Sequence, residues 1–173
     1  MKGVFCRVLV IISCSLLLGS CGYQMVGKET HVPEGMKALA VPTFQNQTYE
    51  PGIEILFTRA FLREFIQDRR VRVVDRSEAD SVLEGVIRYY SVAAVSFDRS
   101  GLAAEYQATV TVDLTLRKGT GEVIWQENNL SETRWYRVSS NNAVTSEQNK
   151  NVAVQEVGVL VAERVRNRFF SNF

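Results

Sequence analysis

Between Tyr106 and Leu116 apolar and polar residues alternate without a break. Tyr106, Ala108, Val110, Val112, Leu114 and Leu116 are separated by Gln107, Thr109, Thr111, Asp113 and Thr115. A period of two sends successive side chains to opposite faces of a strand, so one face here is buried and the other is wet or meets a partner. The run SVLEGVIRYYSVAAVSF before it and EVIWQENNLSETRWYRV after it also read as long strands. The turn-forming stretches DRSG (98–101) and RKGTG (117–121) join the three as antiparallel hairpins. Gly85 interrupts the first run and marks a bulge or a point of close backbone approach.

Upstream, MKALAVPTF predicts a strand over Lys37 to Phe44, with Pro42 at an edge or a strand end. The turn NQTYEPG then leads into a helix over IEILFTRAFLREFIQD, Pro51 being tolerated in a first turn. Ile55, Leu62, Phe65 and Ile66 form its predicted buried stripe, with Thr58 and Phe61 beside it and Arg59, Arg63, Glu64 and Gln67 around the rest. Ile53, Leu56 and Phe57 spill outside that stripe. Arg69, Arg70 and Arg72 follow, where cations favour the helix dipole; that reading is preferred over an anion site. VRVVD can be a short strand, ended by RSEAD. Near the C-terminus Thr145 and Gln148 fit a capping box, before a helix with Val154, Val157, Val161, Val165 and Phe169 on one side and Gln155, Glu156, Glu163 and Arg166 opposite. The pattern predicts an α+β, two-layer sandwich: a mostly antiparallel or mixed four-stranded sheet covered on one face by two helices.

The first twenty residues differ in kind. Lys2 and Arg7 precede an apolar stretch from Val8 to Leu18, well short of the roughly 18 to 20 residues that span a bilayer. This is an export signal, and it ends in Leu18-Gly19-Ser20-Cys21, the spacing of a bacterial lipobox. All three cysteines, Cys6, Cys14 and Cys21, lie in the first 21 residues, so a chain cut before Cys21 keeps one thiol and no internal disulfide. Lipidation of Cys21 explains that thiol better than a plain secretory cleavage, and Cys14 would leave too short an apolar region. Each acyl methylene contributes roughly 0.8 kcal/mol, so two or three chains on Cys21 would hardly dissociate. The expected organisation is a signal peptide at 1–20, a lipidated tether at 21–36 and one α+β domain at 37–173.

Composition narrows the function. Twenty Lys and Arg against nineteen Asp and Glu lack the basic excess of a nucleic-acid binder. The one histidine, His31, falls in the tether, which disfavours a nucleophile–base dyad. With one histidine and one acylated cysteine in the mature chain, a metal site would need carboxylates. Asp75, Glu78 and Asp80 lack the calcium-loop spacing and read as a solvated turn. No phosphate-binding or nucleophile-elbow motif occurs, and nothing places Glu105, Asp113 and Glu122 across a cleft, so no cofactor and no catalysis are expected. Tyr89, Tyr90, Phe97, Tyr106, Trp125, Trp135 and Tyr136 cluster on the predicted strands, where about half would face the helices.

CGYQM after the lipobox, AVPTFQNQTYEPGIEILFTRAFLREF, ADSVLEGVI, AEYQATVTVDLTL and GEVIWQE together resemble the lipopolysaccharide-assembly LptE family, across almost the whole mature chain. The densest part is Phe44-x-Asn46-x-Thr48-x-x-Pro51-Gly52-x-Glu54 followed by Thr58-x-Ala60. These residues suit a strand-to-helix turn and cap and supply no chemistry. The resemblance implies a two-helix, four-stranded sandwich lodged in the lumen of the LptD-type outer-membrane β-barrel. There it would help the barrel assemble and insert lipopolysaccharide into the outer leaflet. It also implies an outer-membrane location on the periplasmic side and within the lumen, held by N-terminal acyl chains, with Gly22 suited to that destination. Arg99, Arg117 and Lys118, near predicted strand ends and turns, are the candidate lipopolysaccharide contacts. A secretion or pilus-type assembly lipoprotein, whose AVxxFxN opening is similar, stays as the alternative.

Overall fold

The computed structural model describes residues 36–171. In chain order the elements are β1 (Ala38–Ala40), β2 (Gln45–Asn46), α1 (Ile53–Asp68), β3 (Arg72–Val73), β4 (Ser81–Phe97), β5 (Ala103–Lys118), β6 (Val123–Arg137) and α2 (Ala143–Ser171). The sheet runs β3-β1-β4-β5-β6, with β2 also on β4. The three long strands are antiparallel neighbours, and the three short ones are parallel additions at the start of β4. Both helices lie on one face, so the fold is the expected α+β two-layer sandwich, with a mixed sheet of six strands where four were predicted. The strand expected over Lys37 to Phe44 shortens to β1 and stops before Pro42, which cannot continue a ladder; β2 lies beyond it, where the sequence reads as the start of the turn, and VRVVD supplies only the two-residue β3.

The core follows the period-two pattern. Ala108, Val110, Val112, Leu114 and Leu116 of β5 are all fully buried, as are Val157, Val161, Val165 and Phe169 of α2. Met36, placed by the sequence at the end of the tether, is fully buried as well. An aromatic chain ties the layers together: Phe44 meets Phe61, Phe61 meets Phe65, and Phe169 touches both Phe65 and the edge of Trp125 at 4.6 Å between ring centroids. Gly85 is a close-approach point and not a bulge. A Cβ there would lie 2.4 Å from the Phe44 ring, while the register of β4 slips later, between Ile87 and Tyr89.

The buried face of α1 is turned from the one predicted. Ile53, Phe57, Ala60, Phe61, Glu64 and Phe65 point inward, and Ile55 and Ile66 are exposed by 46% and 58%. Helix α2 decides this. Gly158 lets Ala60 and Phe57 come close, since a Cβ at Gly158 would already be 3.2 Å from the Ala60 methyl. Arg166, from 102 residues away, pairs with Glu64 and so allows a carboxylate on the inner side. Thr58 fixes the other end: its hydroxyl accepts the Phe44 amide at 3.0 Å and donates to the Glu54 carbonyl at 2.6 Å.

The cap of α2 also differs from the capping box read at Thr145. The helix begins at Ala143, and the Asn142 side chain accepts the Thr145 amide at 3.0 Å. Asparagine therefore caps the helix three residues earlier, through the Thr145 amide in place of that of Gln148. At the end of α1, Arg69 occupies the left-handed position after the helix with φ of 61°. Arg70 is held by Asp68 and lies 3.6 Å over the Phe170 ring, a packing role for one member of the arginine cluster.

Candidate interaction surface

Helices cover one side of the three long strands, and no element among the described residues covers the other. The register sets out that open side in rows. Thr111 lies between Tyr89 and Ser131, Thr109 between Ser91 and Thr133, Gln107 between Ala93 and Trp135, and Glu105 between Ser96 and Arg137. These are the polar members of the alternation in β5, so the strand that forms the centre of the core also forms the centre of a threonine-rich surface. Thr111 donates to the Ser131 hydroxyl at 3.1 Å, and Arg137 pairs with Glu105 at 3.3 Å. Tyr89 and Trp135 stand out at 54% and 69% exposure.

One row is fixed by a network around Asp113, which the sequence offers only as a carboxylate on a strand. The Arg88 guanidinium donates to Asp113 and to the Gln47 side chain, both at 2.6 Å, and the Asn129 amide donates to Asp113 at 2.8 Å. Asn129 has a φ of 58° and sits where β6 slips against β5. Asparagine tolerates that left-handed conformation, so the Asn128-Asn129 pair in the middle of an apparent strand was the available signal. Burial pushes the Asp113 carboxyl up, but the Asn129 amide and the Arg88 charge outweigh it and hold the group below the usual carboxylate range.

A second polar cluster joins the turn before α1 to the start of α2. Lys150 bridges Glu50 at 2.7 Å and Glu147 at 2.8 Å, beside the stacked rings of Tyr106 and Tyr136. The nearby Tyr90 phenol is pushed up to about 12 by burial and by the Glu50 charge. Its hydroxyl has no hydrogen-bond partner among the described groups. The aromatics thus divide as the strand pattern suggested. Tyr90, Trp125 and Tyr136 pack against the core, whereas Tyr89, Phe97 and Trp135 are exposed.

The three basic residues singled out from sequence do not come together. Arg99 is in the β4–β5 turn, while Arg117 and Lys118 end β5, about 50 Å away along a strand rising roughly 3.3 Å per residue. Arg117 is paired with Glu84 at 3.2 Å and Lys118 with Glu122 at 2.7 Å. Cys21 and His31 lie outside the described residues. Asp75, Glu78 and Asp80 form no metal-binding group, and no such group occurs among the described residues. No helix among those residues is long and apolar enough to cross a membrane.

Three solved structures share this arrangement. Lipoprotein B from Nitrosomonas europaea, uncharacterized, matches with a TM-score of 0.54 at 11% identity, over 83% of this chain and 87% of its own. A hypothetical protein from Chlamydia trachomatis matches at 0.53 and 9%, over 80% and 99%. A protein from Xanthomonas campestris matches at 0.51 and 13%, over 80% and 89%. At such identities the likeness is one of fold. No curated protein sequence matches the chain. The model of the LptE lipopolysaccharide-assembly family matches residues 36–169, which takes in every strand and nearly all of both helices. The chain therefore belongs to the LptE lipopolysaccharide-assembly family.

Proposed function

We propose that this lipopolysaccharide-assembly protein is a non-enzymatic lipoprotein that plugs the lumen of an LptD-type outer-membrane β-barrel and helps that barrel assemble. The barrel would then insert lipopolysaccharide into the outer leaflet. The open face of β4, β5 and β6 carries this reading. Barrel lumens are polar, and a plug needs a rigid body with a polar exterior. The rows of threonine, serine and glutamine offer neutral hydrogen-bonding groups across the open sheet face, and Trp135 and Tyr89 add the aromatic anchors that are enriched at interface centres.

A photo-crosslinking amino acid at Thr111 or Trp135 in cells is the direct test. Capture of an outer-membrane barrel is expected at both positions, and capture of none would end the plug reading. In the same reading Cys21 carries acyl chains that hold the domain at the outer membrane, where LptE-family lipoproteins sit. The variant Cys21→Ala is expected to take up no palmitate and to leave the membrane fraction. Persistent labelling would move the attachment site elsewhere. Lipopolysaccharide contacts at Arg99, Arg117 and Lys118 belong to this proposal too, with Arg99 favoured because it has no carboxylate within 4 Å among the described residues.

A further inference from the structure

The surface cations of this domain are mostly matched. Eleven of the seventeen lysines and arginines among the described residues have a carboxylate within 4 Å. Arg59, Arg63, Arg69 and Arg72 are four of the six that do not, and all four lie on α1 or within four residues of its end. The acids of the helix do not pair with them. Glu54 receives a hydrogen bond from Asn46, Glu64 is bound by Arg166, and Asp68 is held between Arg70 and Arg166.

The same face carries apolar surface. At 3.6 residues per turn, Ile55, Arg59, Leu62, Arg63 and Ile66 fall within an arc of roughly 100° on the outer side of α1. Ile55 and Ile66 are exposed and Leu62 is half-buried, so the stripe alternates branched aliphatic chains with guanidinium groups. Every unmatched cation on and just after the helix is an arginine. Arginine binds carboxylates through two parallel hydrogen bonds and is weakly hydrated, so it suits a protein interface better than lysine does. Four positive charges with no carboxylate within 4 Å among the described residues call for a partner of opposite sign, and the aliphatic stripe calls for one that excludes water from part of the contact.

We propose that the outer face of α1 is a second docking face, set against a carboxylate-bearing wall of the protein that encloses the domain. This rests on the plug reading above and deepens it. A subunit held by its open sheet alone would leave α1, on the opposite layer, in water, whereas a plug is enclosed on both sides. The partner would place aspartate or glutamate side chains opposite Arg59 and Arg63, with an apolar strip opposite Ile55 and Ile66.

The experiment uses the full-length chain in cells, with the photo-crosslinker at Arg59, at Ile66 and, separately, at Thr111 and Trp135. Capture of the same outer-membrane barrel from α1 and from the sheet is expected. The double variant Arg59→Glu/Arg63→Glu should lower the co-purified barrel at least tenfold, and Arg59→Lys/Arg63→Lys should keep most of it. The melting temperature should stay near that of the wild type, since neither side chain is buried. Capture from the sheet but not from α1 would overturn this inference and leave the plug reading standing. Capture from neither would overturn both. Crosslinks from α1 to lipid alone, or charge reversal without loss of barrel, would also overturn the second face.

Discussion

The variant Val161→Asp is expected to unfold the domain. Val161 is fully buried on α2 and is part of the hydrophobic core of the described residues. A carboxylate there would be buried without a partner or would have to take up a proton. Either route costs several kcal/mol, on top of the lost valine packing. Domains of this size are stable by only about 5 to 15 kcal/mol, so most of the margin goes. The control is Val152→Asp on the same helix, where the side chain is 55% exposed. Both changes replace a β-branched residue with aspartate in a helix interior, so helix propensity cancels between them. Urea unfolding followed by circular dichroism should show a near-normal transition for Val152→Asp and no cooperative transition for Val161→Asp. A wild-type transition for Val161→Asp would mean that α2 does not pack as described.

A second large effect is expected at Gly85, and its sign opposes the local preference of the chain. Valine is a better strand former than glycine, and propensity alone favours Gly85→Val by up to about 1 kcal/mol. Against this, a Cβ at position 85 would lie 2.4 Å from two atoms of the Phe44 ring and 2.6 Å from a third. That ring is only 2% exposed and already packs at a tilt against Phe61, 4.9 Å between ring centroids, so it cannot swing aside. Gly85→Val should therefore destabilise by about 3 kcal/mol or more. Phe44→Ala alone should cost about 3 to 5 kcal/mol through the cavity it leaves. Combined, the two should cost clearly less than their sum, because the valine fills part of the space. A coupling of about 1 to 3 kcal/mol from urea midpoints would confirm the contact, and strict additivity would refute it.

Those two positions show where the sequence was readable. The three long strands were legible because a period of two is a local property, and turn residues mark their ends. Val161 was legible as core for the same kind of reason, the spacing of valines along α2. The inner side of α1 was not. Ile55 and Ile66 fit a stripe as well as Ile53 and Phe57 do, and the choice between them is made by Gly158 and Arg166, about a hundred residues further along the chain. Position 85 was recognised as unusual, but only the fold supplies Phe44 as the reason. The open sheet face could be anticipated from the threonines of β5, since whatever opposes a buried row must be wet or bound. The outer face of α1 could not, because its isoleucines read as core, and its arginines then looked like the ordinary solvated side of the helix.

The position of α2 in the chain has a consequence for how the protein is made. The apolar rows of β5 and the phenylalanines of α1 are complete by residue 118, yet their cover is α2, which begins at Ala143. A chain that has been made only as far as β6 has α1 to cover part of the apolar face and lacks the helix that covers the rest. Contacts between α1 and α2 span about a hundred residues, as Glu64 and Arg166 do, and such long loop closures are slow. Folding is therefore a late event that waits for the last described element. A chain arrested before Ala143 would leave the apolar row of β5 open and Glu127, Glu132 and Arg134 of β6 without their α2 partners, a form prone to aggregate.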